Sequence, residues 1–351
     1  MAAESFPMIG GDGPYSYSKN SNLQREAAEN AREMLVSAIV ENLDIEKELC
    51  PISNTFTIAD LGCSTGPNTF IAVQNIIEAV SQAFQTKNQS QIPDFQVYFS
   101  DHVSNDFNIL FANLPKDGKY FAAGVPGSFH GRLFPKASLS FVYSSYALQW
   151  LSKAPQELRD SNLPAFNKGK IFYTNAADEV GQAYFGQYSE DLLCFLDARA
   201  QELTPGGLMA LLIPGRPDAT LPANSSLGPI FEPFESCLVD MANEGLISKD
   251  KIDTFNLPMY SPSPEELRKL IQKNGCFEIV KLDEQPGGSV PLPSAEGCRA
   301  GLETLISNHF GSEIIEQFFD RYAKKVEGRP PLNSAIDGVG PGLFILLKRN
   351  L

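Results

Sequence analysis

The chain has 351 residues, 43% hydrophobic and 20% charged, with 42 acidic against 28 basic side chains and a formal charge of −14. That apolar fraction excludes extended disorder as the main state, and the length fits one large α/β domain with an insertion as well as it fits two domains. The acidic surplus repels phosphate backbones and argues against nucleic acid, which leaves a small molecule as the expected partner.

No apolar run reaches the ~18 residues of a membrane span. The start MAAESFPMIGGDGPYS lacks a basic stretch followed by an apolar one, so no secretory signal is expected. Cys50, Cys63, Cys194, Cys237, Cys276 and Cys298 are scattered without a CxxC pair, and His102, His130 and His309 are too separated to suggest zinc. The expected setting is the cytoplasm, away from membranes.

In chain order, residues 22–49 carry Leu23, Ala27, Ala31, Leu35, Ile39 and Leu43 at helical spacing and predict one amphipathic helix. Residues 56–62 predict a first strand ending in a glycine turn, and 67–84 a helix. The polar stretch 86–94 predicts a surface connection. Residues 95–101, 119–125 and 139–148 predict further strands. A long helix over 178–203 is expected to stop at the Pro-Gly-Gly of 205–207, before a strongly apolar strand at 208–215. Helices are predicted over 229–247, 262–274 and 296–327. Late strands are predicted at 276–282 and 343–349, with the last a candidate for antiparallel pairing.

Strands and helices alternating at this spacing predict a doubly wound, mostly parallel sheet with helices on both faces. The proline-rich break after 215 predicts a helical cap. Residues 1–215 then form most of the sheet together with an N-terminal covering segment. Residues 216–340 form a mainly helical cap with one returning strand, and 341–351 close the sheet.

The sharpest local feature is Asp60-Leu-Gly62-Cys63-Ser-Thr-Gly66, between the first strand and its helix. Glycines there allow a tight turn and close approach of the backbone to a ligand. No Lys follows Gly66, so this is not a phosphate loop, and the G-x-G-x-x-G dinucleotide pattern fails as well. An acidic opening residue suits a cationic ligand such as S-adenosylmethionine. Asp101, closing the second strand, can accept both hydroxyls of a ribose. Ser128 and Phe129 follow the third strand and could hold an adenine. Trp150, the single tryptophan, lies just past the fourth strand, where its indole N–H could meet a substrate acceptor.

These segments, with MIGGDGPYSYSKNSNLQ (8–24), SSYALQWLS (144–152), ARAQELTPGGLM (198–209) and DTFNLPMYSPSPEEL (253–267), resemble the plant SABATH family of salicylic acid, benzoic acid and theobromine methyltransferases along essentially the whole chain. The resemblance implies a Rossmann-like, seven-stranded class I methyltransferase fold, a helical cap and a homodimer. It implies methyl transfer from S-adenosylmethionine, leaving S-adenosylhomocysteine, most often to a small-molecule carboxylic acid. Cofactor positions would be Tyr17, Ser21, Asp60, Gly62, Cys63, Asn68, Asp101, His102, Ser128, Phe129, Ser144, Ser145 and Tyr146. Gln24 and Trp150 would clamp the carboxylate, with Tyr17, Gln149, Ile230, Phe231, Tyr260, Cys298 and Val339 completing the substrate pocket. A magnesium (Mg2+) site described for some members would fall on Asn167, Asp253, Asn256 and the carbonyl of Phe255.

A carboxylic acid with a pKa near ~4 is already ionised at neutral pH, so such an enzyme needs no general base. Two further readings are an N-methyltransferase acting on a xanthine-like ring, against which Gln24 argues, and a binding protein without turnover. Gln149 suggests a partly polar pocket, and the N-terminal segment looks closest to members that esterify terpenoid acids such as farnesoic or loganic acid.

Overall fold

The computed structural model describes residues 6–45, 54–87, 92–222, 228–285, 289–290, 293–333 and 342–351. Its main sheet has seven strands: β1 (Thr55–Leu61), β2 (Asp94–Asp101), β3 (Phe121–Pro126), β4 (Leu139–Ser145), β5 (Leu203–Pro214), β6 (Phe277–Glu284) and β9 (Gly342–Arg349). A separate pair joins β7 (Ser289–Val290) to β8 (Leu332–Asn333). The order in the sheet is β3-β2-β1-β4-β5-β9-β6. The first five strands run parallel to one another, and β9 pairs antiparallel with both β5 and β6.

Chain order reverses between β1 and β4, because β2 and β3 are laid down to one side and β5 to the other. A reversal of this kind opens a crevice at the carboxyl ends of the strands, the usual ligand position in open α/β sheets. Both faces of the sheet are covered. Val73, Ile76 and Val80 of the Pro67–Thr86 helix pack on one face with Ile58, Val97 and Phe141. Leu192, Phe195 and Leu196 of the Asp178–Glu202 helix pack on the other with Leu61, Val142 and Met209. That second core continues into the later helices through Phe234, Ile306, Phe318 and Tyr322.

Several elements differ from their prediction for identifiable reasons. The N-terminal helix is two helices, Asn22–Asn30 and Arg32–Asn42, divided at Ala31; residues 46–49 of the prediction lie outside the described residues. β4 stops at Ser145 because Tyr146 adopts a left-handed φ of 52° that turns the chain off the strand. Pro205-Gly206-Gly207 does not follow the long helix as a loop. The helix ends at Glu202 and the three residues form a bulge inside β5, with Gly206 at φ 91°. The predicted helix over 296–327 is divided at Gly311, φ 109°, into Ala295–Phe310 and Ile315–Val326. Short helices at Phe107–Ala112 and Lys249–Thr254, capped by Asp106 and Ser248, span too few turns for periodicity to reveal.

Candidate active site

The loop after β1 is shaped by its backbone. Gly62 takes φ 84°, and a Cβ there would sit 2.4 Å from the Ala147 Cβ, so the walls of the crevice meet at a residue without a side chain. The N–H groups of Gly62 and Cys63 donate to the Ser100 carbonyl at 2.8 and 3.2 Å, tying the loop to the end of β2. Cys63 is buried, and burial pushes its thiol well above the usual range. Asp101 accepts from the N–H of Ser64 at 2.8 Å and of His102 at 2.7 Å, one on each carboxylate oxygen. Each oxygen keeps a lone pair for a further donor. Burial raises the Asp101 pKa against the opposing pull of these two N–H bonds. Asp60 is buried and accepts from the Thr69 hydroxyl. Burial raises its pKa to about 7; the Thr69 bond opposes this and the Asp101 carboxylate adds to it.

Among the described residues the buried hydroxyls of Ser64 and Thr65, in this same loop, have no hydrogen-bond partner. Buried polar atoms are rarely left so, and these two lie in the loop that ends β1, beside Asp101. Sequence reasoning passed over both, since Ser-Thr in a loop is too common to read.

Ser128 and Phe129 follow β3 at the carboxyl edge, with Phe129 buried and edge-on to Phe195 at 5.9 Å. At the end of β4 the Ser144 hydroxyl donates to the Leu61 carbonyl at 2.8 Å, so it braces β4 against β1. Ser145 and Tyr146 are half-buried beside it, and burial pushes the Tyr146 hydroxyl up to about 12. Half-buried Trp150 belongs to a short antiparallel bridge with Met259. The Leu151 N–H donates to the Pro258 carbonyl and the Tyr260 N–H to the Gln149 carbonyl, both at 2.8 Å. Gln149 is buried; its Nε2 donates to the Tyr146 carbonyl at 2.7 Å and its Oε1 has no donor among the described residues.

The N-terminal segment closes the crevice from the other side. Gly11 N–H donates to Asp106 at 2.9 Å and Ile9 N–H to the Ala300 carbonyl at 2.9 Å, joining the loop after β2 to the Ala295–Phe310 helix. Buried Ser21 accepts from Asn68 Nδ2 at its hydroxyl, 3.0 Å, and its carbonyl, 3.1 Å, and Arg25 donates to Asn68 Oδ1 at 3.1 Å. Tyr17 is thereby set against the crevice, where burial and the nearby Asp101 and Asp60 raise its pKa. Gln24, in the Asn22–Asn30 helix that follows, is half-buried, and among the described residues its side chain has no hydrogen-bond partner.

A family model for S-adenosylmethionine-dependent carboxyl methyltransferases matches residues 3–350. The chain belongs to this family. It is 44% identical to loganic acid O-methyltransferase of Catharanthus roseus, over 99% of this chain and 95% of that one. It is 40% identical to farnesoic acid carboxyl-O-methyltransferase of Arabidopsis thaliana, over 99% of each. The solved structure of loganic acid methyltransferase with S-adenosylhomocysteine superposes with a TM-score of 0.88 at 40% identity, over 98% of this chain and 99% of that chain. This methyltransferase is therefore of the SABATH type with a class I fold, and its reaction is methyl transfer from S-adenosylmethionine to a small-molecule carboxylate.

The methyltransferase's remaining candidate pocket residues are spread through the later helices. Ile230 is half-buried and Phe231 buried, the latter edge-on to Phe172 at 5.1 Å. Cys298 is buried and donates to the Tyr322 hydroxyl at 3.1 Å. Tyr260, expected at the pocket surface, is fully buried among Tyr173, Phe185 and Tyr188. Its hydroxyl donates to Glu266 and accepts from Arg216 at 3.1 Å, so it supports the wall from behind. Val339 lies outside the described residues.

Asn167, Asp253, Phe255 and Asn256 come together, but as a brace. Asn167 Nδ2 donates to the Phe172 carbonyl at 3.1 Å, which sets the amide's orientation, and to Asn256 Oδ1 at 2.7 Å. Asn256 therefore turns its Nδ2 away, where it finds no acceptor among the described residues. Asp253 accepts from the Gly169 N–H at 2.8 Å, and the Phe255 ring packs on His309 and Phe310. Magnesium takes oxygen ligands in near-octahedral geometry. The Asn256 oxygen is taken by the Asn167 NH2, so the set offers one carboxylate and the Phe255 carbonyl beside an amide donor, and the expected magnesium site does not fit this arrangement.

Proposed function

We propose that the carboxyl ends of β1, β2, β3 and β4 hold S-adenosylmethionine, and that Gln24 and Trp150 hold the carboxylate that receives its methyl. The observation that carries this is Asp101. Its carboxylate is fixed by two N–H groups at the strand end and keeps an outer lone pair on each oxygen, beside the turn where Gly62 packs against Ala147. Asp101 accepts the ribose hydroxyls, the Ser64 and Thr65 hydroxyls serve the polar end of the cofactor, and Ser128 and Phe129 face its adenine. Tyr17, Ser21, Cys63, Asn68, His102 and the 144–146 segment complete the cradle. When bound, the cofactor supplies an electrophilic methyl on a sulfonium.

The chain's own task is placement. The acid arrives ionised, so no base is required, and Gln24 and Trp150 donate neutral N–H groups that orient the anion without neutralising it. The bridge between 149–151 and 258–260 keeps the indole at the crevice, and the N-terminal segment excludes water over it. The unpaired acceptor of Gln149 suits an acid that carries a hydroxyl near the clamp, and the resemblance to loganic and farnesoic acid methyltransferases supports a terpenoid acid. Residues 1–215 act as the cofactor-binding core, 216–340 as the substrate cap and 341–351 as the closing strand. The enzyme works as a homodimer, as the family resemblance implies, and in the cytoplasm, which the scattered cysteines favour, and no step uses magnesium.

Two measurements test this reading. Labelled S-adenosylmethionine with a panel of terpenoid and aromatic acids should give base-labile methyl ester; turnover of a methylxanthine alone would overturn the acceptor. Trp150→Phe and Gln24→Ala should each lower kcat/KM for the acid by about 100-fold while S-adenosylhomocysteine binds within about twofold of wild type. Wild-type rates in both variants would remove the clamp.

A further inference from the structure

The Asp178–Glu202 helix carries an ion pair that the proposed chemistry does not use. Arg199 and Glu202 lie one turn apart and both are completely buried. Arg199 Nε donates to Glu202 Oε2 at 2.6 Å. The other arms of the guanidinium donate to the main-chain carbonyls of Phe129 at 2.7 Å and Gly131 at 2.9 Å. Glu202 Oε1 accepts from the N–H of Leu133 and, at 3.0 Å, from that of Phe134. The guanidinium also lies 5.1 Å from the centre of the Phe195 ring, which meets Phe129 edge-on.

Residues 127–134 form neither helix nor strand, so their main-chain groups have no ladder to satisfy them. The pair satisfies four of those groups at once, using a planar fork and a two-oxygen acceptor whose geometries are both directional. Stability alone is a poor reason to bury it, since well-packed apolar residues in place of a buried ion pair are often neutral or better. What the pair provides is a fixed path for one loop.

We propose that Arg199 and Glu202 are positioning residues for the cofactor, holding Ser128 and Phe129 in place at the crevice before any ligand arrives. This rests on the reading above that Ser128 and Phe129 face the adenine. Preorganised walls bind more tightly because no ordering cost falls on binding. The same helix holds the other half of the site with a different side chain, which meets the 127–134 loop only through the Asp191 carbonyl, 3.4 Å from His130 Nδ1. Asp191, eight residues earlier, accepts from the Ser152 N–H at 2.8 Å and hydroxyl at 2.7 Å and pins the segment after Trp150.

The test compares Arg199→Lys and Glu202→Gln with Asp191→Asn by calorimetry and steady-state kinetics. The first two should weaken S-adenosylhomocysteine about tenfold or more, raise KM for S-adenosylmethionine and leave KM for the acid within about twofold. Their preference for S-adenosylhomocysteine over S-inosylhomocysteine should shrink, since it reports contact with the adenine edge. Asp191→Asn should do the reverse, raising KM for the acid with cofactor affinity intact. A folded Arg199→Lys that binds like wild type, or one in which both KM values rise together with adenine preference unchanged, overturns the proposal. Should the variants fail to fold, hydrogen exchange on the ligand-free wild type decides: Leu133 and Phe134 amides protected like the helix support the clamp, and loop-like exchange overturns it. Failure of the wild type itself to bind S-adenosylhomocysteine would instead refute the cradle.

Discussion

The strand-borne part of the proposed cofactor cradle lies within a few residues of strand ends, at Asp60–Gly66, Asp101–His102, Ser128–Phe129 and Ser144–Tyr146. The proposed acid-facing wall gathers Gln24, Gln149, Trp150, Phe231 and Cys298, of which only Gln149 and Trp150 lie near a strand of the main sheet. The first region gets its geometry from the sheet: once β1, β2 and β4 pair, their carboxyl ends have nowhere else to point. The second depends on cross-links between distant segments, such as 149–151 with 258–260 and Cys298 with Tyr322. One sheet can therefore keep its cofactor while the acid varies, because changes in the wall do not propagate into strand pairing.

The largest expected effect breaks the cradle alone. Asp101→Ala removes charged hydrogen bonds worth ~1.5–3 kcal/mol each, so affinity for S-adenosylhomocysteine should fall about 100-fold by calorimetry. A loss under about threefold would move the ligand away from the strand ends. Gly62→Ala comes next, since the new Cβ meets Ala147 at 2.4 Å and φ is 84°. Binding should weaken about tenfold and thermal melting should come several degrees earlier. Adding Ala147→Gly should recover the steric share, and no recovery would show that conformational strain alone is responsible.

A smaller effect is pH-dependent. The Asp60 carboxyl titrates near 3.8 when unfolded and at about 7 in the fold, so between these the folded state holds the extra proton. This group's contribution to the stability of the ligand-free protein is therefore full below pH 3.8 and is lost as pH rises towards 7. Asp60→Asn should flatten that slope in melts between pH 5 and pH 8, by ~1 kcal/mol or more at the upper end. An unchanged slope would place the titration elsewhere. A cationic ligand favours the carboxylate, so binding near pH 6.5 should release protons, read from how the calorimetric heat varies with buffer.

The smallest effects concern the brace. Asn167→Ala leaves the Phe172 carbonyl and Asn256 unpaired and should cost ~1–3 kcal/mol of stability, with cofactor affinity unchanged. Millimolar magnesium should shift neither melting temperature nor turnover of the wild type. A clear upward shift would restore the metal reading.

Legibility followed the same division. The loop from Asp60 to Gly66 and the carboxylate at Asp101 could be read because their chemistry sits in consecutive residues after a strand. Arg199 and Glu202 could not: an Arg and a Glu three apart on a helix look like an exposed pair, and only the loop folded over them makes them interior. Tyr260 looked like pocket surface, yet Arg216 and Glu266 hold its hydroxyl inside. Pro205-Gly206-Gly207 carried a stop signal for the helix, and the pairing of β5 with β4 absorbed it as a bulge.

By itself the sequence determined the alternation of strands and helices, the glycine turn after β1 and the acidic strand ends, because backbone conformation and periodic burial depend on neighbours within a few positions. The tertiary structure alone decided which hydroxyls of the loop stay unpaired, which way the Asn167 amide faces, and that the Arg199–Glu202 pair grips the loop at 129–134. Partner identity and burial are sums over segments far apart in the chain, and no local pattern contains them.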